Sequence, residues 1–115
     1  MSKTNMLDHL TMQESNLVVT KTLRVLGKLE SSQMAEWPFE DLSLNDFFFQ
    51  IQKIYSNVNL RKDFIEFCVS EIKTKNSYLI IEGFFRLLKL CESLERYEDC
   101  VILKDIKDSV LLDVG

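Results

Sequence analysis

The sequence predicts an all-α protein, a small bundle of four to five helices ending in an antiparallel helical hairpin. Three observations carry this expectation. Apolar residues recur at i, i+3 and i+4 through successive stretches of the chain. Only three glycines and one proline punctuate it, which is little turn chemistry for a β fold. Its 115 residues are 46% hydrophobic and include eight Phe, three Tyr and one Trp, enough material for the core of one domain. A disordered chain would combine few apolar residues with high net charge, whereas the formal charge here is only −4.

Residues 1–12, MSKTNMLDHLTM, read as a flexible N-terminus. They lack the charged region and continuous apolar run of a signal peptide. The sole histidine, His9, stands there beside Asp8 and reads as a solvated side chain. A single helical domain is expected over 13–112. Its first helix runs from Gln13 to about Ser32, with Val18, Thr22, Val25 and Leu29 in one stripe and Val19, Leu23 and Leu26 in the next. Gly27 weakens it mildly. The stretch SSQMAEWPFEDL, from Ser31 to Leu42, is a connector, because Pro38 removes an amide donor and biases Trp37 toward extended backbone. Trp37 is expected to cover an edge of the core.

Ser43 and Asp46 have the spacing of a helix cap, the serine accepting from early amides and the acid favoured at the positive end of the dipole. The helix they open, Leu44 to about Ser56, contains Phe47, Phe48, Phe49, Ile51, Ile54 and Tyr55. That is too much apolar surface for one wet face. Either it lies centrally, or part of the triple-phenylalanine face, Phe47 and Phe48 foremost, meets a partner. Successive residues on a helix point about 100° apart, so at least one of the three is expected to be exposed. A third helix follows Asn57 to Asn59, with Leu60, Phe64, Phe67, Cys68 and Ile72 on one face and Lys73 and Lys75 near its negative end. Ser77 can cap a fourth, in which Ile80, Phe84, Leu87, Leu88 and Cys91 recur up to Leu94. The YLII run alone also reads as a short strand, and the length of the pattern decides for the helix. The fifth spans about Tyr97 to Leu111 and is expected to bury Cys100, Val101, Leu103, Ile106 and Val110, leaving 113–115 as a frayed tail.

Charge and cysteine content bound the function. No stretch approaches the ~18 apolar residues of a membrane span, so no membrane partner and a cytoplasmic location are expected. Three cysteines, Cys68, Cys91 and Cys100, cannot all pair within one molecule and form no CxxC or Cys/His cluster. A pI near 5.0 makes nucleic acid an unlikely partner. No glycine-rich phosphate loop and no paired carboxylate spacing is present, so neither an enzyme nor a cofactor is expected. Charge is uneven: residues 43–90 carry seven basic against five acidic side chains, and residues 91–115 three against seven. A reversal near Glu95 and Arg96 would set Cys91 and Cys100 facing each other, where small residues let antiparallel helices approach closely.

Within that hairpin, Tyr97, Glu98, Cys100, Leu103, Lys104 and Asp105 resemble the core of the UVR motif: an aromatic followed by Glu, a small residue, Leu, a basic residue and Asp. The resemblance spans about residues 90–108. Cys100 stands where the family has Ala, Lys104 where it has Arg, and Ile106 comes one residue early. The motif is a short helical hairpin of nucleotide-excision-repair subunits and Clp-protease regulators, where it makes protein–protein contacts. The resemblance therefore implies an adaptor or regulator that binds another protein through its C-terminal hairpin. The candidate contact residues are Glu95, Tyr97, Glu98, Asp99 and Asp105, facing a partner with a basic surface. The alternative is a structural or assembly subunit, a homo-oligomer or small phage-type component, that buries exposed aromatic helix surface between copies.

Overall fold

In the computed structural model, residues 11–115 are described, and the expectations for residues 1–10, including His9, lie outside them. Five α-helices follow one another: α1 (Met12–Lys28), α2 (Leu44–Tyr55), α3 (Val58–Lys75), α4 (Leu79–Ser93) and α5 (Tyr97–Val114). A single 3-10 turn, Ser31–Met34, lies in the connector after α1, and the described residues contain no strand. Leu79, Ile80 and Ile81 of YLII are thus helical. Several boundaries are corrected, and α1 ends at Lys28, where Leu29 turns to extended backbone, rather than near Ser32. Thr11 already caps α1 in a capping box with Glu14, so the helix starts at Met12. At the other end α5 continues through Asp113 to Val114 rather than fraying after Leu111.

The caps follow from local chemistry. Ser43 accepts from the Asp46 amide at 3.0 Å, as its spacing implies. The Asn57 side chain accepts from the amides of Asn59 and Leu60 and opens α3 two residues earlier than the apolar pattern does. Ser77 is not the cap residue of α4; that position is Tyr78, and the Ser77 hydroxyl accepts from the Leu79 amide at 3.4 Å.

The core runs through all five helices. Val19, Leu23 and Leu26 of α1, Phe47, Phe48, Ile51 and Ile54 of α2, Phe64, Cys68 and Ile72 of α3, Ile80, Phe84, Leu87 and Cys91 of α4, and Leu103, Ile106 and Val110 of α5 are buried. In α1 only the second of the two predicted stripes is fully sealed, and Val25 is at the surface. Polar side chains occupy part of the buried face instead. Thr20 and Thr22 return their hydroxyls to the carbonyls of Asn16 and Val18, both at 2.7 Å, and Ser15 donates to Gln50 of α2 at 2.7 Å. Trp37 covers a core edge as expected, its indole donating to the Leu42 carbonyl at 2.6 Å and its ring packing on Phe39 and Phe47.

The most extensive contact joins α1 to α4. Gly27 faces the Leu79 carbonyl and Gly83 faces the Leu23 carbonyl, so the two helices run antiparallel with backbone against backbone. A Cβ at Gly27 would stand 2.9 Å from the Leu79 carbonyl carbon, and one at Gly83 2.7 Å from that of Leu23. Neither helix has room for a methyl group there.

Candidate functional site

The α4–α5 hairpin turns through Leu94, Glu95 and Arg96. The Arg96 amide donates to the Cys91 carbonyl at 2.9 Å and the Glu95 amide to that of Glu92 at 3.1 Å. These are the two bonds of a Schellman motif, which sets its pivotal residue in the left-handed region. Glu95 is that residue, with φ 58°. Its placement is a requirement of the turn, and its side chain remains exposed.

Arg96 then locks the start of α5 to α2. Its Nε donates to Asp99 at 2.8 Å, one terminal nitrogen donates to Asn45 Oδ1 at 2.8 Å, and its guanidinium lies 4.6 Å from the Phe48 ring centroid. Gln52 of α2 also donates to Asp99, at 3.0 Å. Asp99 is therefore corrected from an acid free for a partner to a buried internal anchor, because two donors from inside the molecule claim it. Glu98 and Tyr97 are exposed, Tyr97 by 62%. Asp105 shares the exposed side with Glu98 but accepts the Tyr55 hydroxyl, and this bond raises the phenol's pKa above its ordinary value.

Phe47 and Phe48 are corrected as well. Both are buried in the core, against Trp37 and each other, and neither is available at the surface. The exposed member of the triplet is Phe49, as one of the three had to be. Val101 is also misplaced by the pattern, being 67% exposed where burial was expected.

That exposure leads to a feature the sequence reading missed. On the outer side of the hairpin, α4 and α5 leave a groove of about 400 Å³. Phe85 and Leu88 from α4 and Cys100 and Val101 from α5 line it, rimmed by Lys89, Lys104, Lys107 and Glu92. Phe85 is 53% exposed. The Lys107 ammonium sits 4.5 Å from the Phe85 ring centroid and 3.0 Å from Asp108, its stem buried along the seam. Lys89 and Lys104 make no ion pair with the described residues. The signal was present as helical spacing: Phe85, Lys89 and Glu92 fall at i, i+4 and i+7, and Cys100, Lys104 and Lys107 repeat that spacing on α5. Summing charge over 91–115 hid it, since both α5 lysines lie on one side of the helix and Glu98 and Asp105 on another.

Cys91 and Cys100 do meet across the hairpin, their thiols hydrogen-bonding. Burial pushes the Cys91 thiol up to about 12 and raises that of Cys100. Both are kept protonated, which suits a close helix contact better than nucleophilic or redox chemistry. Among the described residues no group of three His, Cys, Asp or Glu side chains could hold a metal ion, and no helix is long and apolar enough to cross a membrane.

No protein-family model matches the chain, and neither the curated proteins nor the solved structures contain a match to it.

Proposed function

We propose that this protein is a small interaction module, an adaptor or regulator, that binds another protein through its C-terminal hairpin. One observation carries the reading: α4 and α5 seal their inner faces into the core yet leave Phe85, Leu94, Tyr97 and Val101 each about half or more exposed. The UVR-like pattern of Tyr97, Glu98, Leu103, Lys104 and Asp105 supports it, since that motif serves protein contact. Three free thiols fit a reducing compartment, and the module is taken to act in the cytoplasm.

A photo-crosslinking residue at Val101 tests this, with one at exposed Lys73 of α3 as the control. A discrete partner captured from Val101 and not from Lys73 is the expected result; equal or absent capture would overturn it. The assembly-subunit reading loses Phe47 and Phe48 to the core and keeps Phe49 of that triplet, alongside the exposed rings of Tyr78, Phe85 and Tyr97. Light scattering separates the two. A stable monomer favours the adaptor, and a concentration-independent oligomer the assembly subunit.

A further inference from the structure

We infer that the outer groove of the hairpin is a docking site for an acidic amphipathic helix of another protein. The inference rests on the hairpin being the interaction element and adds the chemistry of what it takes. It also reverses the polarity that composition implies: the contact runs through lysines, not through the acidic edge.

The inner side of α4 is packed against α1, and α5 is packed against α3 and α2. On one flank α4 meets the 3-10 turn, leaving a groove lined by Met34, Ala35, Leu90, Lys89 and Arg86, the arginine paired with Glu82; between α4 and α5 lies the hairpin groove. Two antiparallel helices present a furrow into which the side-chain ridge of a third helix fits, and the floor here is apolar, formed by Phe85, Leu88, Cys100 and Val101. The concave shape favours a helix over a flat lipid surface.

Charge then selects the occupant. The rim holds three lysines against one glutamate; Lys107 is neutralised by Asp108, whereas Lys89 and Lys104 have no ion-pair partner among the described residues. The comparable groove between the start of α3 and the end of α5 is balanced, with Arg61 and Lys62 against Glu66 and Asp113. The groove beside the connector sets one lysine, Lys21, against Glu40 and Asp41. The hairpin groove thus combines an exposed apolar floor with an excess of cations. A helix carrying Leu or Phe on one stripe and Glu or Asp beside it would satisfy both.

The test uses the full chain and two labelled peptide helices with the same apolar stripe, one flanked by glutamates and the other by lysines, read by fluorescence anisotropy. The acidic peptide should bind about tenfold more tightly at low salt and lose that advantage as salt rises. The K89E/K104E double variant should reverse the preference, Val101→Glu should weaken both peptides, and Lys73→Glu on α3 should leave binding unchanged. All four positions are exposed, and circular dichroism checks that each variant folds. Equal binding of the two peptides, or indifference to K89E/K104E, would overturn the inference. So would recruitment to anionic phospholipid vesicles without binding of the acidic peptide, or a dimer in light scattering that Val101→Glu dissolves. Capture of a partner from Val101 without acidic-peptide binding would overturn this inference alone. Failure of both would remove the interaction reading with it.

Discussion

An alanine at position 83 would bring its methyl group within 2.7 Å of the Leu23 carbonyl carbon, and one at position 27 within 2.9 Å of that of Leu79. Helix propensity alone says that either change stabilises, by ~1 kcal/mol. The packing says the opposite, because the neighbour at each site is backbone and cannot rotate away. Gly27→Ala and Gly83→Ala are therefore each expected to destabilise the protein by about 1–3 kcal/mol, measured by denaturant titration. A neutral or stabilising result would show that the two helices separate without penalty. This was not legible in the sequence, where Gly27 read as a mild weakness. A glycine's role is set by what passes beside it, and nothing local to Gly27 names Leu79. The phenylalanine triplet shows the other limit. Helical geometry required one exposed member, yet only the neighbours Trp37, Phe39 and Arg96 decide that it is Phe49.

At the scale of elements, periodicity located all five helices to within a few residues, since each buries an apolar stripe against the others. Its failures fall at the ends. Thr11 and Asn57 extend α1 and α3 by capping, and α5 runs on to Val114 through residues whose polarity read as a tail. The hairpin turn supplies the clearest test of cap chemistry. Glu95 occupies a left-handed position, costing about 1–2 kcal/mol relative to a residue without a Cβ. Glu95→Gly should accordingly raise stability by about 1 kcal/mol, read as an increase in thermal midpoint. A fall would show that the carboxylate makes a contact worth more than the backbone strain. The candidate site was legible in part. The hairpin that carries it followed from the pattern of Tyr97 to Asp105, whereas the lysine-rimmed groove did not, because the side of α5 that faces α4 is fixed only by packing.

For the whole molecule, the link between Tyr55 and Asp105 ties α2 to α5 near the surface, and it carries a pH signature. The bond to the carboxylate holds the phenol protonated, so its folded pKa lies above the ordinary 10.0 of the unfolded chain. Stability from this link is fully present below that value and is lost as pH rises through the folded pKa. Tyr55→Phe should be less stable than the natural chain at pH 8 and approach it as the pH passes the ordinary phenol value and rises through the higher folded one, with chemical denaturation across that range as the measurement. Parallel curves for the two proteins would mean that the bond contributes nothing. The glycine crossing of α1 on α4 bears also on how the chain is made. During synthesis α1 leaves the ribosome before α4, and the surface it is shaped for does not exist until translation has passed Leu79 and reached Ser93. At ~5–20 residues per second that interval lasts several seconds, with Val19, Leu23 and Leu26 lacking the α4 surface throughout. Docking of α4 on α1 is thus the event that ends the exposure of that stripe, and it comes late in the synthesis of the bundle.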